Sequence, residues 1–389
     1  MKHLHEHRGG TVIAAALAGT LCLSVAALAA NPSTGSPEPS SGTMAATSPV
    51  VVVSGLVNPR GFTWSADGTL VIGLAGNGGD QEGIWAGGPS GIFGGPSASI
   101  VRVEGGCPVT VASGLPSGNY RAADWVWGVM DVAFLDGQLY ALVGGGGEDL
   151  GNPTAPSGVY RVGEDGSTTL VANLSSWLGD VPPKEAAPDY NSDGSLFDME
   201  AGAGVLWISE AVGGRILKVT PDGTIALVAD LSEGHRVPTG IALAPDGGAY
   251  VGFETAAPWT DGSSLVVHVA EDGTVTEAWT GLTAVTDLVL GPDGLLYAAE
   301  MATGNTADEI GIHPGTGRIV RQQGADGLEF VAAGLDFPSY LGFAPDGSLY
   351  VGSPAIGADA GEGTIARIML GEAAASSPVP AASCVAAAP

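Results

Sequence analysis

Pro238-Thr239-Gly240-Ile241-Ala242-Leu243-Ala244-Pro245-Asp246-Gly247-Gly248-Ala249-Tyr250-Val251-Gly252 and Pro338-Ser339-Tyr340-Leu341-Gly342-Phe343-Ala344-Pro345-Asp346-Gly347-Ser348-Leu349-Tyr350-Val351-Gly352 align without a gap. Each is an apolar run, an Asp-Gly turn and a second apolar run carrying Tyr. Asp-Gly between two alternating runs predicts a tight hairpin, because Gly tolerates positive φ and Asp bonds its own backbone. Further copies centre on Asp67-Gly68, Asp136-Gly137 and Asp293-Gly294, and a degenerate one has Ala203-Gly204 between Phe197 and Leu206-Trp207, which makes six.

A second phrase follows each first one: an apolar strand with a basic residue, a turn, and a strand ending near Gly-Leu. Val101-Arg102-Val103 with Val111 to Leu115 is one example, and Ile216-Leu217-Lys218-Val219 with Leu227 to Leu231 is another. Two hairpins give a four-stranded unit of roughly 40–50 residues, the size of a propeller blade. The sixth unit stops after Ile365-Ala366-Arg367-Ile368, one strand short. Val50 to Leu56 has the form of that missing strand and precedes the first Asp-Gly phrase. It is expected to close the last blade, which removes the open edges that template aggregation. The fold class is therefore all-β, a six-bladed β-propeller of four-stranded blades over residues 50–370.

Sixty-three glycines and 26 prolines suit short strands joined by turns and leave no long helix-periodic window. Residues 1–30 carry Lys2 and Arg8, an apolar run from Thr11, and small residues at Ala27, Ala29 and Ala30, the pattern of a secretory signal. An uncleaved membrane anchor is the competing reading, since the run approaches the length of a span. Residues 31–49 are expected to be a flexible linker and residues 371–389 an Ala/Pro/Ser tail. Export makes a secreted or extracytoplasmic protein. Past the signal the cysteines are Cys107 and Cys384, for which an internal bridge, an intermolecular link and free thiols are all open.

Thirteen basic against 41 acidic residues give a formal net charge of −28. That excludes nucleic acid and anionic lipid as partners and leaves a cation or metal easier to place, although solubility alone accounts for such a surface. Once the signal is removed, no membrane association is expected. The expected partner is a small-molecule or protein ligand at the channel rim, bound by a monomer.

In a propeller the first strand of each blade starts, and the second ends, at one rim. The start positions are Gly61, Asp131, Asp198, Gly240, Asp287 and Tyr340; the end positions are Leu74, Val143, Glu210, Phe253, Glu300 and Ser353, with Glu254 one residue beyond. These two sets are expected to meet around the channel mouth. Asp131, Asp198, Glu210, Asp287 and Glu300 then make a candidate metal set, with Ca²⁺ the ion that takes such oxygen ligands. The plainer reading is a hydrated channel lined by acids. His235, beside Pro238, sits at the same rim as a candidate base or a solvated loop histidine. Insertions over 76–98, 144–157 and 301–317, and the 175–194 connection, point to that face, where recognition usually lies. They or their neighbours carry Trp85, Trp125, Trp127, Trp177 and Trp259, suited to stacking on a ligand or to packing the loops down. The ligand-binding candidates are thus Trp127, Asp131, Asp198, Glu210, His235, Glu254, Asp287, Glu300 and Tyr340. The chain contains no Gly-x-Ser-x-Gly elbow and no Cys-x-x-Cys, and its glycine-rich runs do not lead from a strand into a helix, so no nucleophile or nucleotide site is assigned.

Val53-Ser54-Gly55-Leu56-Val57-Asn58-Pro59-Arg60-Gly61, Gly78-Gly79-Asp80, Trp127-Gly128-Val129-Met130-Asp131-Val132-Ala133-Phe134 and Val237-Pro238-Thr239-Gly240 together resemble the ScyD/ScyE family, exported bacterial propellers named from scytonemin pigment loci. The resemblance runs from about Val50 to Ile368 and departs at the third blade, where Ala203-Gly204 replaces Asp-Gly. It implies a TolB-like or NHL-like six-bladed propeller and supplies no catalytic residues. Two functions follow: a noncatalytic exported binding or scaffold propeller, or a metal-dependent hydrolase similar to the gluconolactonase and SMP-30 propellers, with acidic rim residues holding Ca²⁺ or Zn²⁺ to activate water.

Overall fold

The structure is a computed structural model that describes residues 49–85, 91–307, 312–358, 361–370 and Cys384. The expected signal and linker lie outside the described residues, as does the tail except for Cys384. Six antiparallel sheets follow one another along the chain as the blades of a propeller. Blade two is representative, with strands Val129–Leu135, Gln138–Val143, Gly158–Val162 and Thr168–Asn173 running from the channel outward. Blade six takes Tyr340–Phe343, Leu349–Ser353 and Gly363–Ile368 from the C-terminal end and Val50–Leu56 from the N-terminal end. Val50–Leu56 pairs antiparallel with Gly363–Ile368, Val50 opposite Arg367 and Leu56 opposite Gly363. The ring is closed by the strand expected to close it.

Apolar side chains from facing blades fill the wedges between them. Leu142, Val159, Leu206, Ile208 and Leu217 pack together between blades two and three, and Leu341, Leu349 and Ile368 meet Tyr297 and Ile319 between blades five and six. Strands buried on both faces by neighbouring blades need long apolar runs, which is why the second strands read as continuous hydrophobic stretches.

The Asp-Gly turns divide into two kinds. Asp136 and Gly137 both have positive φ, the requirement of a two-residue type I′ turn, and Ala203 and Gly204 adopt the same pair of conformations. The Pro-Asp-Gly and Ala-Asp-Gly copies instead form wider loops. There Asp67, Asp246, Asp293 and Asp346 each accept the N–H two residues on, at 2.9–3.2 Å.

Blade one departs from expectation. Its third and fourth strands, Ile92–Glu104 and Cys107–Tyr120, form a hairpin far longer than the phrase suggested, with Gln81–Glu82 paired on one side and Trp125–Trp127 on the other. Much of the 76–98 insertion is therefore an extension of the blade. Cys107, at the hairpin turn, is disulfide-bonded to Cys384, their Cα atoms 5.5 Å apart. In the 175–194 connection Leu174–Asp180 is helical, capped by the Asn173 side chain accepting from Ser176 N–H at 3.0 Å. Among the described residues no helix is long and apolar enough to cross a membrane.

Candidate functional site

The two sets of rim positions do not lie at one level. In blades one to five the pairing of first with second strand is broken near its start by a β-bulge, as between Val129 and Asp131 or Val285 and Asp287. The end residues Leu74, Val143, Glu210, Phe253 and Glu300 face Pro59, Val129, Leu196, Pro238 and Val285, two residues before the start positions. An unpaired residue at a bulge is not legible in hydrophobic alternation. The expectation that the two sets meet at the mouth is corrected accordingly.

Asp131, Asp198 and Asp287 use their carboxylates to join blades. Each accepts from the next residue in its own strand: Val132 N–H at 2.7 Å, Met199 N–H at 2.8 Å and Leu288 N–H at 2.7 Å. The other oxygen accepts from a first strand of a later blade: Met199 N–H at 3.0 Å, Ile241 N–H at 2.5 Å and Leu341 N–H at 2.7 Å. Gly61 and Gly240 occupy the same column because a side chain there would overlap Asp131 and Asp287; a Cβ on Gly61 would lie 1.7 Å from Asp131 Oδ1.

Burial pushes the Asp131 carboxyl well above the usual carboxylate range, reinforced by the charge of Asp198 and by a hydrogen bond between the two carboxyls. Asp198 is pushed up to about 6 by burial, opposed by the bonds it accepts. Burial likewise drives Asp287 well above its ordinary value. Glu200, two residues beyond Asp198, is pushed up to about 8 by burial and then by the Asp198 charge. Its side chain is half-buried. It belongs to this acidic centre and was absent from the sequence reading; its spacing from Asp198 on one strand was the available signal.

Glu210 and Glu300 are engaged elsewhere. Glu210 pairs with Arg215 at 3.0 Å, both side chains fully buried, and also accepts from Gly213 N–H at 2.8 Å. Arg215 continues to Val181 O and to Tyr190 Oη, and sits over the rings of Tyr190 and Trp177, tying down the 175–194 connection. Glu300 pairs with Arg318 and accepts from Thr283 N–H at 2.6 Å. The proposed metal set thus does not assemble: its members bind backbone N–H groups and guanidinium groups in three different places. Among the described residues no group of three or more His, Cys, Asp or Glu is placed to hold an ion.

Four of the candidates do come together. Trp127, His235, Glu254 and Tyr340 line a cavity of about 320 Å³ on the loop-bearing side of the channel. Its base is formed across the ring, where Tyr340 of blade six stacks on Phe197 of blade three, centroids 5.8 Å apart, and donates its hydroxyl to Phe197 O at 2.6 Å. Burial raises the Tyr340 phenol well above its ordinary value, so it stays a neutral donor. Trp85, Trp125 and Trp259 complete the aromatic wall, and Trp85 meets Trp127 edge to face at 78° with centroids 6.1 Å apart. Trp177 takes no part. Arg60, missed by the sequence reading, donates from Nη2 to Val126 O at 2.9 Å, anchoring the strand that carries Trp125 and Trp127.

Glu254 differs from the acids that hold blades and loops. The N–H groups of Ala75, Gly144, Ala211, Glu254, Met301 and Ala355 make the same bond to the residue just before or near the start of their blade, so these six occupy one ring. Glu254 is its one ionisable member. Among the described residues none donates to its carboxyl, and desolvation alone pushes it up to about 7. His235 Nε2 faces Asp189 Oδ1 at 3.5 Å across the same cavity wall. His235, Thr255 and Trp259 have φ of 51°, 66° and 52°, the left-handed region, where non-glycine residues cost about 1–3 kcal/mol each. Val237 is also left-handed, but it shares that conformation with Asn58, Ala284 and Phe337 at the same place in their blades, so it reflects the blade and not the cavity.

No protein-family model matches the chain, and the curated proteins give no match. Solved structures do. One is a putative oxidoreductase (glucose dehydrogenase) from Thermus thermophilus, 18% identical, with 83% of this chain and 100% of that one covered at a TM-score of 0.55. A second is regucalcin, a calcium-binding protein from Agrobacterium tumefaciens, 16% identical over 83% of this chain and 93% of its own, at 0.50. A third is a protein of unknown function from Bacteroides thetaiotaomicron, 11% identical over 80% and 70%, at 0.50. At these identities the likeness shows the six-bladed propeller fold and nothing of the chemistry.

Proposed function

We propose that this chain is an exported, monomeric, noncatalytic binding propeller of the ScyD/ScyE kind that recognises a small molecule at the mouth of its central channel. The observation that carries the reading is the cavity: four indoles, a Tyr–Phe base and few polar groups, held by strained blade-four loops on a rigid ring. Ligand sites are typically of this sort, apolar walls with a few placed polar atoms. The carboxylates that would serve a metal-dependent hydrolase are engaged in holding blades and loops, which favours binding over hydrolysis.

The test is a titration of the purified mature protein with a panel of neutral and charged aromatic and aliphatic compounds, followed by tryptophan fluorescence. Saturable quenching that is weakened in Trp127→Phe and Trp259→Phe is expected; a panel that never saturates removes the proposal. Calcium is titrated in parallel by thermal melting. A saturable rise in melting temperature together with lactone turnover would restore the hydrolase reading.

A further inference from the structure

We propose that the ligand is an organic cation with a methylated or quaternary ammonium head, its charge facing Glu254 and its methyl groups packed on Trp85, Trp127 and Trp259. This rests on the reading of the channel mouth as a small-molecule site and names the chemical class that site takes.

Glu254 supplies the first argument. A carboxyl placed in a ring of Ala75, Gly144, Ala211, Met301 and Ala355, with no donor from the described residues, contributes nothing to holding the fold. Asp131, Asp198, Asp287, Glu210 and Glu300 show what structural acids do here: all are bonded to backbone N–H groups, and the last two also to arginine. Desolvation is the only influence on Glu254, so no protein charge compensates its ionised form. A cation in the cavity would.

The walls supply the second. Aromatic faces attract cations through the ring quadrupole, most strongly when the site is shielded from water, and cages of this kind are used for quaternary ammonium groups. The 78° angle between Trp85 and Trp127 turns the wall through a corner, so a compact head can touch more than one ring.

The cavity's polar groups and its charge bear on the head group. A primary ammonium brings three N–H donors that each need an acceptor. Ser339 and Thr286 already direct their hydroxyls to Gly352 O and Pro338 O, which leaves the Thr255 hydroxyl and the Asp189 carboxylate as the cavity's other acceptors beside Glu254. A methylated head has little or nothing to satisfy beyond its charge. The cavity's own cation, Arg60, donates to Pro59 O and Val126 O, and the formal net charge of −28 draws cations in and repels anions.

The mature protein is titrated at pH 8 and low salt with choline, with tetramethylammonium, and with 3,3-dimethylbutanol, the neutral shape-mimic of choline, by calorimetry. Choline should bind saturably, with the neutral mimic weaker by about tenfold or more, which corresponds to about 1.4 kcal/mol. Glu254→Gln should weaken choline by about tenfold and leave the mimic unchanged, while Glu254→Asp keeps the preference for charge; melting curves check that both variants fold. Equal affinity for choline and its mimic, an unchanged affinity in Glu254→Gln, or no cation binding overturns the inference. Neutral ligands that bind at the mouth while cations do not would overturn this inference alone. Absence of binding by any ligand overturns the underlying site as well.

Discussion

Asp131 accepts the Met199 N–H through Oδ2 at 3.0 Å, across the seam between blades two and three. Its other oxygen holds Val132 N–H, and Gly61 in blade one is the residue that leaves room for it. Asp131→Ala should take the side-chain acceptor from Val132 N–H and leave Met199 N–H to Asp198 alone, a cost of about 1–3 kcal/mol in urea unfolding. Gly61→Ala should also destabilise, because its methyl falls on the carboxyl. Combined, the two substitutions should cost less than their sum by at least about 1 kcal/mol. Strict additivity would mean that the two positions do not share a clamp.

The ion pairs offer a contrast that stability measurements can read. Glu210 and Arg215 are fully buried, and Arg215 also carries bonds to Val181 and Tyr190. Arg215→Met abandons a charged carboxylate in the interior and should cost about 3–5 kcal/mol. Arg102 and Glu104 also pair directly, but on the exposed blade-one hairpin, where both side chains are about half accessible. Arg102→Met should cost less than about 1 kcal/mol. Similar losses at the two sites would refute the assignment of Glu210 to the fold.

Stability should fall as pH rises through the neutral range. Asp131 and Asp287 lie well above their usual values, Asp198 at about 6 and Glu200 at about 8, each raised chiefly by burial. Raised folded-state values mean that the native chain holds these protons longer than the unfolded chain. Their contribution is therefore complete below the ordinary carboxylate range and is lost as pH climbs through the folded values. Asp67, Asp165, Asp222, Asp246, Asp272 and Asp346, exposed in the turns, are lowered by the hydrogen bonds they accept and contribute in the opposite sense, losing effect in acid. The melting temperature should be higher at pH 5 than at pH 9. Glu200→Gln should match the parent at pH 5 and exceed it at pH 9. A flat profile, or a variant equally displaced at both pH values, would contradict this account.

What the sequence disclosed followed the range of the interactions involved. Blade count and closure were legible because a blade is written in local alternation and Val50–Leu56 repeats the fourth-strand phrase. The level of Asp131 and Asp287 was not, since the bulge that lowers them is an extra unpaired residue without a side-chain signature. Trp127 and Glu254 were singled out as an insertion aromatic and an acid out of column, and both line the cavity. Arg60 and Asp189 escaped notice because the cavity is assembled from residues of several blades and loops that no stretch of sequence brings together. Glu210 and Glu300 were misplaced in a metal set because a carboxylate reads the same whether its partner is an ion or an arginine one strand away.

Tyr340 connects the scaffold to the site, and two substitutions separate its contributions. Its ring and that of Phe197, from opposite blades, close the base of the cavity, and its hydroxyl holds the Phe197 carbonyl. Tyr340→Phe keeps the stacked base and removes one hydrogen bond, so it should cost about 1 kcal/mol of stability and leave ligand affinity within about threefold. Tyr340→Ala removes the ring as well. It should cost about 3–5 kcal/mol, the range for deleting a buried aromatic, and should weaken any mouth ligand by about tenfold or more, because the ring that closes the base of the cavity is lost. Unfolding curves measure the first effect and calorimetric titration the second. Retained affinity in Tyr340→Ala would place the ligand away from the channel axis, on the outer faces of Trp125 and Ile84, both exposed.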